Sequence, residues 1–441
     1  MGHERRTSFY LALALIGGLA ACQSPSPGVT GASRSWLVGG ARPAVPATWR
    51  VDEMLPNLYR VQVPEAEAAE AEARLAAQAG VTFVEPNRRW HLTRPVSVAA
   101  AAADEPAALP ALRTRPDAPL SWNLHQAGID TAWTFTTGLR SLKVAVIDSG
   151  VDPDHPDLRD HLLPLIDVWE ETEGSDTMHT TTGTLSFDGK DGNGHGTHVA
   201  GILAGTLDRE SGIGGVAPGV TVQPIKATDY EGNTNAYTLA RAINRAVSEG
   251  CRVINISIGG PPDAAEGPYL RQTVEQAIAK GVVIVAATGN ESDRRTGKIV
   301  PVAIPAAYPG VIAVAAVTDK DKVANYSNAG PETTLAAPGG GGSRREGARI
   351  RSTWPTYTTF EGMKARIDGP YAELAGTSMA CPHVAGAVAL LLSREPSLTP
   401  AQVRVRLAGT SVDIGAPGYD TDSGFGRVQV DRALEATGHG G

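Results

Sequence analysis

From residue 143 onward, short apolar runs recur with helical patterns between them. The runs are Lys143–Ile147, Val220–Lys226, Val253–Ile258, Val282–Ala287 and Val311–Val317. Such compact apolar runs are what strands buried on both faces require, because neither side meets water. Ala236–Glu249 and Leu270–Lys280 instead carry apolar residues at helical spacing. Strand alternating with helix predicts an α/β fold: a doubly wound, mostly parallel sheet with helices on both faces, over residues 120–437. Ligands in such folds sit beyond the carboxyl ends of the strands. Asp148 ends the first run.

The chain's 441 residues leave room for accessory segments beside one large domain. A formal net charge of -8 argues against a phosphate backbone as partner, and 5% aromatic residues leave little for base stacking. At the N-terminus, Arg5 and Arg6 precede an apolar run from Phe9 to Ala21, too short to cross ~30 Å of hydrocarbon. Residues 1–21 therefore read as a secretory signal, and the protein as exported. Leu19-Ala20-Ala21-Cys22 resembles the lipobox of bacterial lipoproteins, which implies a lipid on Cys22 and a cell-envelope precursor with a periplasmic or extracellular mature form. Ser, Pro and Gly over residues 22–49 predict a flexible tether. Cys251 and Cys381 read as buried small hydrophobes.

Three further segments carry the chemistry: Ile147-Asp148-Ser149-Gly150, Gly194-His195-Gly196-Thr197-His198 and Gly376-Thr377-Ser378-Met379-Ala380. A hydroxyl nucleophile needs a base for its proton, and the base needs a carboxylate to orient it. Ser378 opens a helix that is small or apolar all round, hence buried, so the backbone N–H groups at its start face outward, where an oxyanion can form. Pro382 is tolerable only near that helix's first turn. The glycines beside His195 leave space for a substrate. His198 and His383 read as structural, since no third metal ligand lies near.

These blocks, in the order Asp, His, Ser, resemble those of the subtilisin-like serine proteases. The resemblance covers about residues 120–435, closing on Gly424-Phe425-Gly426-Arg427-Val428. It implies a serine endopeptidase with Asp148, His195 and Ser378 as its triad and Asn290, in Thr288-Gly289-Asn290, donating to the oxyanion. It further implies that Ser257, Ile258, Gly259 and Gly260 form an edge that pairs with extended polypeptide. Glu291 falls at the rim of the pocket for the residue before the cut, and its charge would widen tolerance toward Lys or Arg there. No cofactor is needed for the chemistry. A structural calcium is implied at Asp157, with a partner loop around residues 206–213, and Asp188, Asp191 and Asn193 form a second oxygen-rich cluster.

Upstream, Leu58–Val63 alternates as a strand, Pro64 opens a helix over Glu65–Ala79 capped by Gly80, and Val81–Asn87 makes another strand. This α+β module, taken as residues 50–94, resembles the inhibitory propeptide of the same family, although it is short of that family's first strand. The resemblance implies a zymogen whose propeptide is a partner of its own monomeric peptidase. The linker at residues 95–119 would carry the maturation cut, from about Val98 on. A ligase or cyclase on the same scaffold, and an inactive binding protein of this fold, are the competing readings.

Overall fold

The computed structural model describes residues 33–92, 97–100, 121–180, 183–207, 213–261 and 268–436. The signal sequence and Cys22 lie outside these residues. The chain divides after Pro86 into two units.

The first unit is an antiparallel sheet of β1 (Ser33–Gly40), β2 (Arg50–Leu55), β3 (Leu58–Pro64) and β4 (Val81–Pro86), ordered β2-β3-β1-β4. Helix α1 (Ala68–Ala76) lies between β3 and β4 and buries Ala68, Ala71 and Leu75 in one cluster with Trp36, Val38, Val61 and Val63. The tether expected over residues 22–49 therefore stops short, because Ser33–Gly40 is an inner strand of this sheet. Trp36, Leu37 and Val38 are buried there. Gly39 is required by packing: a Cβ on it would collide with the Phe83 ring.

The second unit starts with two short strands, β5 (Arg89–Leu92) and β6 (Ser97–Ala100). Apart from a separate hairpin of Thr177–Thr180 and Gly183–Ser186, there follow β7 (Lys143–Asp148), β8 (Ile166–Asp167), β9 (Thr221–Lys226), β10 (Asn233–Asn235), β11 (Val253–Ile256) and β12 (Ile258–Gly259). The last strands are β13 (Val283–Ala287), β14 (Ile312–Val317), β15 (Thr333–Pro338), β16 (Ile350–Thr353) and β17 (Tyr371–Ala375). One parallel sheet runs β15-β14-β13-β11-β7-β9-β8.

The helices that bear on the sheet's two faces and the site are α2 (His195–Ala204), α3 (Ala236–Ser248), α4 (Pro268–Ala279) and α5 (Thr377–Arg394). Strand pleating sends alternate residues to opposite faces. Val144, Val146 and Val285 share a buried cluster with Val199 and Leu203 of α2 and Val384 and Val388 of α5. Ala145, Ile147, Ile254 and Ile284 share another with Leu239 and Ile243 of α3 and Leu270 and Val274 of α4. Each fully buried Val, Leu or Ile contributes about 1.5–3 kcal/mol, so both faces are held by burial, as a doubly wound sheet requires. The chain builds β8 and β9 on one side of β7 before crossing to β11 on the other, so Asp148 sits beside the crevice where strand order reverses. No described helix is long and apolar enough to cross a membrane.

The placement of β5 and β6 corrects two boundaries. β5 lies antiparallel between β10 and β12, and β6 pairs antiparallel with β17. The module expected over residues 50–94 thus ends at Pro86, and the linker expected over 95–119 begins as an ordered strand. The physical cause is the open edges of β10, β12 and β17, whose backbone groups need partners.

Candidate active site

β7 carries Asp148 to its buried carboxyl end, and Gly150, at φ 112°, turns the chain away. His195 is the first residue of α2. Its Nδ1 donates to Asp148 Oδ1 at 2.8 Å, with both side chains buried. The N–H of Ser149 donates to the same oxygen at 2.8 Å. With the proton on Nδ1, the basic nitrogen of His195 is Nε2, which is buried with no hydrogen-bond partner among the described residues.

Asp191 joins these two elements. Its Oδ1 accepts the hydroxyl of Ser149 at 2.8 Å and the N–H of Gly194 at 2.8 Å, and its Oδ2 accepts the N–H and hydroxyl of Thr197 at 2.9 and 2.6 Å. One carboxylate thus ties the residue after Asp148 to the helix that starts with His195, and its charge faces that helix's positive end. Burial pushes the Asp191 carboxyl up, and its donors pull it back. The glycines flanking His195 serve packing more than substrate access. A Cβ on Gly196 would collide with the Gly150 carbonyl, and Gly194, at φ 106°, lies against the Trp354 ring.

Ser378 is the second residue of α5. Pro382 lies beyond the first turn, and lacking an N–H it leaves the Ser378 carbonyl without its helical donor. The Ser257 hydroxyl donates to that carbonyl instead, at 3.1 Å. Ser378 Oγ lies 3.4 Å from the Ser257 carbonyl oxygen. Asn290 follows β13, and its Oδ1 accepts both the N–H and the hydroxyl of Thr377 at 2.9 Å. Its amide is thereby fixed by the residue preceding Ser378, with the donating Nδ2 at the opposite corner. Asn290, Ser257 and Ser378 are brought together, as are Asp148 and His195.

Glu291 is exposed, and its Oε2 accepts from the Asn290 N–H at 3.0 Å and from Asn328 Nδ2 at 2.6 Å. Asn328 is fully buried, and its Oδ1 accepts the N–H groups of Glu291 and Ser292, both at 3.0 Å. The carboxylate expected at a specificity rim thus also anchors the loop that holds Asn290. Nothing in the sequence pointed to Asn328, because a lone Asn in a polar stretch looks like a turn.

The edge expected at Ser257–Gly260 is occupied by β5. His91 pairs with Gly259 and Leu92 with Ile258, while Leu92 N–H donates to the Gly232 carbonyl at 2.7 Å. Trp90 is 2% exposed and shares a buried cluster with Ile258 and Ile304. A Cβ on Gly260 would lie 2.6 Å from its ring.

Two other histidines flank the site as structural pieces. His198 Nε2 lies 3.2 Å from the Ile350 carbonyl and 3.1 Å from that of Ala372, tying α2 to β16 and β17, and burial pushes its pKa down to about 3. His383 Nδ1 donates to the Met379 carbonyl at 2.8 Å, its Nε2 accepts from Asn123, and burial lowers it to about 4. Lys226 is a buried cation 2.8 Å from buried Asp176 that also donates to the Ser149 carbonyl. A sheet-interior position gave no sign of it. Cys251 and Cys381 are buried free thiols.

The oxygen clusters suit N–H and O–H donors. Asp191 is taken up as described, and Asp188 accepts the Asp176 N–H and the hydroxyls of Ser175 and Ser186. These residues do not fit a calcium ion. Asp157 Oδ2 accepts the Tyr371 hydroxyl at 2.7 Å, and most of its expected partner loop, residues 208–212, lies outside the described residues. Among the described residues, no group of three His, Cys, Asp or Glu side chains could hold a metal ion.

Residues 140–426 match the Subtilase family. The chain is 37% identical over 295 residues to subtilisin E of Bacillus subtilis (strain 168), an alignment covering 67% of this chain and 66% of that one. Identity is also 37% over 295 residues to the subtilisin of Bacillus pumilus, covering 91% of it. The fold is similar to the crystal structure of fervidolysin from Fervidobacterium pennivorans, described as a keratinolytic enzyme related to subtilisin. The TM-score is 0.68 at 27% identity, covering 92% of this chain and 61% of that one. Because the matched span encloses Asp148, His195, Asn290 and Ser378 in the geometry just described, the chain belongs to the subtilase family of serine endopeptidases.

Proposed function

We propose that the protein is an exported endopeptidase, made as a zymogen, which forms its acyl-enzyme on Ser378 and cuts its own chain first. Ser378 Oγ attacks the substrate carbonyl carbon while His195 Nε2 takes the hydroxyl proton. Asp148 holds the imidazole in the right tautomer and stabilises the imidazolium. The carbonyl oxygen becomes an oxyanion that accepts from Asn290 Nδ2 and from the backbone at the start of α5. His195 then protonates the leaving amine, and water, deprotonated by the same nitrogen, releases the acyl group.

The observation that supports the self-processing reading is the pairing of residues 89–92 and 97–100. β5 pairs with β10 and β12 on one side of Ser378, and β6 pairs with β17, which leads directly into Ser378. Leu92 and Ser97 are joined by residues 93–96, so the cut is proposed there, upstream of the stretch from Val98 that the composition favoured. The signal pattern and Cys22 lie on the propeptide side, and the cut would release the peptidase from a lipid anchor. The test is labelling of purified, processed protein with a fluorophosphonate. Wild type is expected to label and Ser378→Ala to stay unlabelled; a folded, processed wild type that does not label would contradict the reading.

A further inference from the structure

The turn between β9 and β10 receives β5. The Gly232 carbonyl accepts the Leu92 N–H at 2.7 Å, and Asn233, Thr234 and Asn235 pair with His91, Trp90 and Arg89. The two halves of this turn are held by different means. The Tyr230 ring packs against those of Phe187 and Phe360, with centroids 5.7 and 5.3 Å away. Its N–H donates to Asp176 at 3.1 Å, and its carbonyl accepts at 2.9 Å from Asn193, two residues before His195. The half that meets β5 is held by Asp229 instead. Asp229 Oδ1 accepts the N–H groups of Glu231 and Asn233 at 3.0 and 2.8 Å, and its Oδ2 accepts the Asn233 side-chain amide at 2.8 Å. Gly232 lies between those two donors at φ 86°, so where its carbonyl points depends on how the carboxylate gathers its neighbours.

We infer that Asp229 is a positioning residue for substrate, whose ionised carboxylate shapes the turn that receives the polypeptide backbone ahead of the cut. This rests on the peptidase reading and adds to it a dependence of binding on one proton. A carboxyl that takes up a proton loses acceptor capacity and its charge-assisted bonds weaken. Gly232 and Asn233 are then loosened, while Tyr230 stays on its aromatic neighbours and on Asn193. The loss therefore falls on binding rather than on the proton transfers at His195. Burial, with Asp176 and Glu231 close by, pushes the Asp229 carboxyl up to about 6. Binding is thus at full strength above that pH and declines as pH falls through it. The other charged or titratable groups around the turn are Tyr230, Lys226 paired with Asp176 at 2.8 Å, Glu173 accepting from Asn235, and Arg89 and His91 on β5.

The test uses the processed protein, an internally quenched peptide with six residues before the cut, and an amide with one. Values of kcat/KM are read from pH 8 to pH 5 for wild type, Asp229→Asn and Asp229→Ala. His195 titrates in all three, so the ratio of wild type to variant removes its contribution. On the long peptide wild type is expected to exceed Asp229→Ala about tenfold at pH 8, mostly through KM, the scale of one or two hydrogen bonds. That ratio should fall toward one at pH 5. Asp229→Asn fills the same space and keeps one acceptor oxygen, so it should lie between the two, and it carries the comparison if Asp229→Ala does not fold. On the amide, which ends before Gly232, the loss should be smaller and should not vary with pH. A ratio constant with pH, a loss confined to kcat, or an equal loss on the amide would overturn the role of Asp229 while leaving the peptidase intact. Cleavage of neither substrate by wild type would overturn both.

Discussion

Asn290 owes its position to three neighbours. Thr377 fixes its Oδ1, Glu291 holds its backbone N–H, and buried Asn328 holds the loop that carries both residues. A donor held this way is matched to charge that exists only in the transition state, so it acts on turnover more than on binding. Asn290→Ala is therefore expected to lower kcat about 10²–10³-fold with little change in KM, as read by steady-state kinetics on a long peptide. A change confined to KM would show that the amide binds substrate rather than the oxyanion. The roles of Asp148, His195, Asn290 and Ser378 are legible in the sequence because each sits in a dense local block. Asn328 and Lys226 matter through partners distant in the chain, and Asp191, legible only as part of an oxygen-rich cluster, matters by tying distant Ser149 to its own neighbours Gly194 and Thr197.

At the scale of elements, α2 and α5 each bury a neutral histidine that bonds carbonyl groups. Their folded pKa values, about 3 for His198 and about 4 for His383, lie below the ordinary 6.5. As pH falls through 6.5 the unfolded chain takes up these protons first, so stability present above 6.5 is lost toward pH 4. The slope approaches about 1.4 kcal/mol per pH unit for each histidine. His383→Gln is expected to be less stable than wild type at pH 7, with a shallower fall between pH 6.5 and 4, measured by denaturant unfolding at several pH values. Parallel curves for the two proteins would show that His383 does not contribute this term. The elements themselves divide by how they bury. Strands β7, β9, β11, β13 and β14 are close to their expected positions because both faces are apolar. β1 and β15 escape notice, the first because Gly39 and Gly40 imitate a linker, the second because Thr333–Pro338 is small and runs into glycines. Gly339 to Gly347 reads as a glycine-rich surface loop, yet its first three residues are buried, with the Tyr326 hydroxyl within hydrogen-bond reach of the carbonyls of Gly339 and Gly340.

For the whole molecule, the consequential difference between sequence and structure lies at residues 87–100. Resemblance and composition assign them to a propeptide end and a linker, whereas pairing places residues 89–92 and 97–100 in the peptidase unit. Nothing in Arg89-Trp90-His91-Leu92 marks a segment that pairs along the site, since the residues that admit it, Gly232, Gly259 and Gly260, lie far along the chain. Whether Ser378 is a nucleophile whose first substrate is this segment is tested most directly by N-terminal sequencing of purified wild type and Ser378→Ala. Wild type is expected to begin within residues 93–97, and Ser378→Ala to keep the residues before that point. A wild type that retains its propeptide end, or a Ser378→Ala variant cut at the same bond in isolation, would contradict the account.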